Sequence, residues 1–150
     1  MRVLDTFAGI GGFSLAFEAL GMETVAFCEI DKQACKVLKH NWPGIPIYND
    51  IAELTNERLR ADGLTGIDIL CGGFPCQDVS GVGKQAGIHG ERSALRSELR
   101  RLMGEVRPGL GVLENGTTPN SGDSSRWVGR DLADLAGSRY SATWTCLPPS

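Results

Sequence analysis

The sequence predicts an α/β protein built on a parallel β-sheet, and two observations lead there. Short apolar runs suited to buried strands alternate with segments whose apolar residues recur at helical spacing. Short turns carrying glycine separate the two, which is the pattern of successive βαβ units. At 150 residues and 41% hydrophobic, the chain is one domain's worth of sequence with enough apolar material for a core. No internal repeat, low-complexity tract or linker breaks it, so the expectation is a single domain over 1–150.

Each element has its own justification. Val3-Leu4 opens the first strand, and Gly9, Gly11 and Gly12 follow it closely. Phe13, Leu15, Ala16, Phe17, Ala19 and Leu20 then mark a helix that Gly21 can cap. Thr24 to Cys28 is a second buried strand ending at Glu29. Asp31 is a good N-cap for a helix from Lys32 to about Asn41, which Pro43 and Pro46 end. Ile45 to Tyr48 is a short third strand, and 52–61 a brief helix. Ile67 to Cys71 is the strongest strand, closed by Gly72-Gly73. Residues 74–92 read as loop, because Pro75, Gly81, Gly83, Gly87 and Gly90 interrupt every period. A helix from about Ser93 to Val106 stops at Pro108. Leu110 to Leu113 is a strand weakened by Gly109 and Gly111. Residues 115–125 are polar loop, a helix occupies 127–136, and 140–147 alternates as a last strand.

Composition and charge exclude several classes of protein. No apolar run reaches the roughly 20 residues of a membrane span, and Met1-Arg2-Val3-Leu4-Asp5 is not the start of a signal peptide. Five cysteines, at 28, 35, 71, 76 and 146, make an odd count without a C-x-x-C pair. A disulfide framework and a metal site are therefore not expected, and a reducing cytoplasm is. A net charge of −3 argues against this segment being the main DNA-gripping surface of a protein.

Three motifs carry chemistry. The first is a strand followed by Asp5-Thr6-Phe7-Ala8-Gly9-Ile10-Gly11-Gly12 and a helix. Glycines let backbone N–H groups approach a ligand at a helix N-terminus. Glu29, at the end of the second strand, can take two ribose hydroxyls of a nucleoside cofactor. A glycine turn alone is often only a tight βα connection; the turn with the acid favours a nucleotide-like ligand. The second is Gly72-Gly73-Phe74-Pro75-Cys76-Gln77, with a cysteine just past a strand's C-terminal end, where open α/β sheets bind ligands. Pro75 stiffens the approach to Cys76. Cys28, Cys35 and Cys71 read instead as small buried hydrophobes. The third is Glu114-Asn115 at the end of the fifth strand. A thiol and an acid on neighbouring strand ends can act on one substrate.

In this order and combination the residues resemble the DNA cytosine-5 methyltransferase family. Asp5 to Phe13 is similar to its methyl-donor loop, Glu29-Ile30-Asp31 to its ribose-binding segment and Asn49-Asp50-Ile51 to its adenine contact. Gly73-Phe74-Pro75-Cys76-Gln77 with Ser80 resembles its catalytic loop, and Glu114-Asn115 its acid motif. Glu91 to Leu95 and Glu105 to Pro108 match the family's habit, and the segment after 115 does so more loosely.

The resemblance implies a Rossmann-like, S-adenosylmethionine-dependent methyltransferase fold, incomplete at its C-terminus. It implies Asp5, Phe7, Ala8, Gly9, Gly11, Gly12, Phe13, Glu29, Ile30, Asp50 and Ile51 as donor-binding residues, with no metal. Cys76 would be the nucleophile that adds at C6 of a cytosine flipped out of double-stranded DNA, and Glu114 the acid at N3. Pro75 and Asn115 would support them. The family's arginine motif, target-recognition region and returning C-terminal segment are expected to lie outside these residues. A second chain supplying them is one expected partner. The expected setting is the cytoplasm of a prokaryote or phage host, beside its DNA, with no membrane. Where the family usually has an apolar residue after Glu-Asn, this chain has Gly116. The 150 residues alone are expected not to turn over, and a non-catalytic S-adenosylmethionine-binding remnant is the alternative reading. A small-molecule methyltransferase is a third, which leaves Pro75-Cys76 and Glu114 unexplained.

Overall fold

Val3, Leu4, Asp5 and Thr6 are fully buried in sequence, with no alternation of wet and dry positions. Such a run forms a strand covered on both faces, as parallel sheets require. This strand, β1 (Arg2–Thr6), is the centre of the fold. It is followed by α1 (Gly12–Ala19), β2 (Glu23–Cys28), α2 (Lys32–Asn41), β3 (Ile47–Tyr48), α3 (Asn56–Ala61), β4 (Ile69–Gly73), α4 (Gln85–Val106) and β5 (Leu110–Glu114). The computed structural model describes residues 1–73, 85–114, 140–143 and 145, with backbone alone for 85–93 and 96. The sheet is parallel throughout, in the order β3-β2-β1-β4-β5.

Local chemistry sets the helices. Asp31 caps α2, its Oδ1 accepting from Gln33 N at 2.9 Å and Ala34 N at 2.7 Å, as the sequence predicts. Thr55 caps α3 by accepting from Arg58 N at 3.1 Å. Among the described residues, two apolar clusters hold the layers together. Phe13, Phe17, Met22 and Val112 pack on Val3, Ile69 and Cys71, while Trp42, Ile45 and Ile47 pack on Ala8, Phe27 and Leu38. From α4, Leu99, Leu102 and Met103 are buried.

Several boundaries differ from expectation. β4 begins at Ile69 rather than Ile67, and Gly72-Gly73 belong to the strand instead of closing it. The cause is a close approach: a Cβ on Gly72 would stand 2.5 Å from Thr6 Oγ1 and 2.6 Å from the Thr6 carbonyl oxygen. Only a bare backbone lets β4 pair with the end of β1. α4 begins at Gln85, inside the stretch expected to be loop, and takes in Gly87 and Gly90. A glycine costs a helix about 1 kcal/mol but does not stop one that propagates cooperatively from a longer segment. β3 is confined to Ile47–Tyr48, and α3 starts only at Asn56. Gly111, expected to weaken β5, makes room instead, since a Cβ there would lie 2.6 Å from Met103 Cε.

The chain separates into two compact units, Met1–Gly116 and Thr117–Ser150, and the whole sheet lies in the first. Of the strand expected over 140–147, residues 140–143 and 145 are described and none is in a strand. Alternation there has no buried face to serve: Ser141, Ala142, Thr143 and Thr145 are exposed. The rest of that strand, and the helix expected at 127–136, lie outside the described residues. Among the described residues no helix is long and apolar enough to cross a membrane.

The close β1–β4 contact generates a paired prediction. Gly72→Ala is expected to destabilise the chain by about 1–3 kcal/mol, the cost of overpacking against a backbone that cannot yield. Gly104→Ala, in the interior of α4 with nothing within 4 Å of its Cβ position, is expected to stabilise it by about 0.5–1 kcal/mol. Urea midpoints of the two variants against the parent check both.

Candidate active site

Strand order places the site. From β1 the chain moves outward through β2 to β3, then returns to the other side of β1 for β4 and β5. The direction reverses between β1 and β4, and open α/β sheets bind ligands at the carboxyl ends of strands around such a reversal. Each motif singled out in the sequence follows one of those ends. Phe7 to Gly12 follows β1, Glu29 to Asp31 follows β2, and Asn49 to Ile51 follows β3. Phe74 to Gln77 follows β4, and Glu114 ends β5.

The loop after β1 is a cradle held from three sides. Phe7 and Gly9 take left-handed backbone angles, φ 52° and 53°, so the chain turns sharply out of the sheet. Gly9 N donates to Glu29 Oε2 at 2.7 Å, and Asp31 N donates to Glu29 Oε1 at 2.7 Å. Glu29 thus ties the glycine loop to the start of α2. Each of its oxygens keeps a further lone pair for a ligand hydroxyl. Gly11 (φ 93°) begins α1, and a Cβ there would meet the Trp42 ring at 2.5 Å. Trp42 is fixed in turn by an edge-to-face contact with Phe27 and by its Nε1 donating to Glu18 Oε1 at 2.8 Å. Nothing stands within 4 Å of a Cβ placed on Gly9 or Gly12, so the loop's outer side is open. Ile30, 74% exposed, presents an apolar side chain beside Glu29.

Other expected donor residues fall beneath this surface. Ala8 and Ile51 are buried in the core, and Asp5 is fully buried in β1. Asp5 Oδ2 accepts from Ser14 Oγ at 2.7 Å and Ser14 N at 3.2 Å, so it caps the first turn of α1 from below. Among the described residues its Oδ1 has no hydrogen-bond partner. Burial pushes the Asp5 carboxyl up to about 6, against the pull of hydrogen bonds from Ser14 and Cys71 and with added repulsion from Glu29. Asp50 is half-buried past the end of β3 and accepts from Ala52 N at 2.9 Å through Oδ1.

The end of β4 brings the donor loop and the acid together. Gly73 pairs in register with Glu114. A Cβ on Gly73 would stand 3.0 Å from Glu114 Oε2 and 3.8 Å from Phe13 Cε2. The expected acid and an aromatic of the donor motif therefore meet over Gly73, the last described residue before the Pro75-Cys76 loop. Pro75, Cys76 and Asn115 lie outside the described residues. The cysteines described are unsuited to nucleophilic work. Burial, with Asp5 beside it, pushes the Cys71 thiol far above its ordinary range. Burial, with Asp50 and Glu29 nearby, pushes Cys28 up to about 12. Cys35 is only half-buried, unlike its expected reading; its thiol donates to the Glu29 carbonyl at 3.2 Å and is shifted upward, chiefly by desolvation.

Four residues escape sequence reasoning: Ser14, Trp42, Gly72 and Arg101. Ser14 bonds Asp5 across the β1–α1 loop and Trp42 bonds Glu18 from another helix, so neither carries a signature in a periodic pattern. Arg101 carries one, since Glu98 and Glu105 stand at helical spacing on either side of it.

The buried carboxylate generates a pH prediction. With its folded value raised from 3.8 to about 6, Asp5 binds its proton more readily in the folded chain than in the unfolded one. Its contribution to stability is full below pH 4 and is lost as pH rises through 6. The loss is on the order of 3 kcal/mol. Asp5→Asn removes it. The stability difference between parent and variant, from urea unfolding at pH 4 to 8, should move against the parent with rising pH. A difference flat across that range contradicts the assignment.

Known proteins share this arrangement. The C-5 cytosine-specific DNA methylase family model matches residues 1–148. The type II methyltransferase M.HhaI of Haemophilus parahaemolyticus is 41% identical over 115 residues, covering 77% of this chain and 33% of that protein. M2.BsuMI of Bacillus subtilis is 41% identical over 103 residues, covering 69% and 25%. M.DsaV of Dactylococcopsis salina is 33% identical over 147 residues, covering 98% and 40%. Among solved structures, a DNA modification methyltransferase encoded within an Escherichia coli prophage superposes with a TM-score of 0.73 at 26% identity. It covers 91% of this chain and 38% of that one. The chain thus spans between a quarter and two fifths of these relatives' length. With the family model matched along nearly its whole length, the protein belongs to the C-5 cytosine-specific DNA methylases.

Proposed function

We propose that this chain is the donor-binding and nucleophile-bearing part of a DNA (cytosine-5-)-methyltransferase catalytic domain, acting in the cytoplasm on double-stranded DNA. The observation that carries the reading is the convergence at the strand ends. Glu29 holds the glycine loop, and Glu114 stands over Gly73 where the Pro75-Cys76 loop begins. S-adenosylmethionine fits the open cradle. Glu29 takes its ribose hydroxyls, Asp50 with the backbone of Ile51 its adenine, Ile30 alongside, and the Phe7–Phe13 loop its amino-acid end. Bound there, the donor supplies an electrophilic methyl group.

The chain's own residues do the rest. Cytosine C5 is a poor nucleophile. Addition of the Cys76 thiolate at C6 of a flipped-out cytosine makes C5 enamine-like. Glu114, protonated, donates to N3 and offsets the charge that develops there. Asn115 and Pro75 hold the acid and the nucleophile in place. After methylation, loss of the C5 proton and departure of Cys76 restore the ring. The thiolate needs electropositive company, which the family's arginine motif supplies. A non-catalytic donor-binding role is the second reading, favoured by Gly116 standing after Glu114-Asn115, where the family usually has an apolar residue.

Calorimetry with S-adenosylhomocysteine tests donor binding. Glu29→Ala is expected to weaken it by about 1–3 kcal/mol, since it removes a charged acceptor from both the ligand and the loop. Equal binding by the variant reduces Glu29 to a strand-end acid. Catalysis is tested by radiolabelled methyl transfer and by trapping on DNA carrying 5-fluorocytosine, with the chain alone and mixed with a candidate C-terminal partner. The expected adduct maps to Cys76 and disappears in Cys76→Ser, while donor binding survives. An adduct at Cys71 sinks the assignment. Donor binding with no adduct under either condition supports the non-catalytic role.

A further inference from the structure

We infer that Arg101, on α4, is a positioning residue for the donor's base-binding segment, an inference that rests on the donor-binding reading above. None of the hydrogen bonds that Arg101 makes to the described residues goes to the glycine cradle. Its Nη2 donates to the carbonyl oxygens of Ile51 and Leu54, both at 2.9 Å. Its Nη1 donates to Glu105 Oε1 and its Nε to Glu98 Oε2, both at 2.7 Å. The second oxygen of Glu105 accepts from Asn56 N at 3.1 Å. One guanidinium and one carboxylate therefore take two carbonyls and an amide from the turn that joins β3 to α3.

That turn has no strand or helix ladder of its own. Between Tyr48 and Asn56 the described backbone forms neither helix nor strand. Its internal hydrogen bonds converge on Asp50: Ala52 N reaches Oδ1 at 2.9 Å, and Glu53 N and Leu54 N reach the Asp50 carbonyl at 3.2 Å each. The side chains of Ile51 and Leu54 are buried and anchor the segment from inside. Their carbonyls point to α4, where Arg101 is the partner that satisfies them. A planar guanidinium can face two carbonyls and two carboxylates at once, whereas a lysine ammonium brings the charge without the fork. Arg101 thus sets the placement of Asp50 and Ile51, the segment assigned to the adenine, from a helix that directly follows the Pro75-Cys76 loop in sequence.

The test is a thermodynamic cycle on the 150-residue chain, read by calorimetry with S-adenosylhomocysteine. Arg101→Lys is expected to weaken binding about tenfold. If Arg101 acts through the Asp50 segment, that loss shrinks to within about twofold in an Asp50→Ala background and persists in full in a Glu29→Ala background. A merely structural role predicts the same loss in all three backgrounds, and that result overturns the inference. So does Arg101→Lys binding within about twofold of the parent. Should Arg101→Lys not fold, Glu105→Gln enters the same cycle, with an expected loss of about threefold and the same dependence on Asp50. A parent chain that does not bind S-adenosylhomocysteine overturns the donor-binding reading itself, and the inference with it.

Discussion

A carboxylate buried in the middle of a parallel sheet is an expensive object, and the site is arranged around one. Asp5 has no exposed surface, yet it spends one oxygen on both the amide and the hydroxyl of Ser14. That pair fixes where α1 begins, and so fixes the length and course of the loop between β1 and α1. A glycine loop has little conformational preference of its own, because each glycine gives up more backbone freedom on ordering than any other residue. The order must come from outside. Asp5 supplies it from below, Glu29 from the side by taking the Gly9 amide, and Trp42 by filling the space where Gly11 has no side chain. A loop held at three points presents the same face to every ligand, which lowers the ordering cost of binding.

Much of this was legible in the sequence, and the reason is periodicity. The helix capped by Asp31 and the buried run of β2 obey local rules and stand where those rules put them, while β1 runs two residues further than expected, through Asp5 and Thr6. The acid after β2 was legible for the same reason, since a strand end is a fixed address in a βαβ fold. What escaped depends on long-range approach. Gly72 reads as the end of a strand until Thr6 is seen against it. Gly87 and Gly90 read as helix breakers because their local cost is visible and the cooperativity of a 22-residue helix is not. The alternation at 140–143 satisfied a strand pattern with no buried face behind it.

The cysteines show the same division. Sequence position separates Cys76, in a proline-stiffened loop, from Cys28 and Cys71, inside strands. The structure adds the physical reason. In β4, Cys71 lies beside the Asp5 carboxylate, and both desolvation and that charge oppose a thiolate. Asp5, which orders the glycine loop, therefore also silences this thiol.

Arg101 extends this logic to the other end of the sheet. The glycine loop is disciplined by residues of the first two βα units, but the Asp50 segment follows a strand of only two residues and has no such neighbours. It draws its order from α4 instead, through an ion cluster in which each acid is already matched to the cation by helical spacing. Those spacings let the cluster form within α4 itself, so the guanidinium is held by Glu98 and Glu105 before it meets the carbonyls of Ile51 and Leu54. The entropy of fixing a long side chain is then met within one helix, and the contact across to the turn costs correspondingly less. A partly exposed ion cluster of this kind contributes little to global stability. Its value lies in placement. Two short polar segments at opposite ends of the cradle, neither ordered by its own sequence, are each held by a charged side chain that the ligand need never touch.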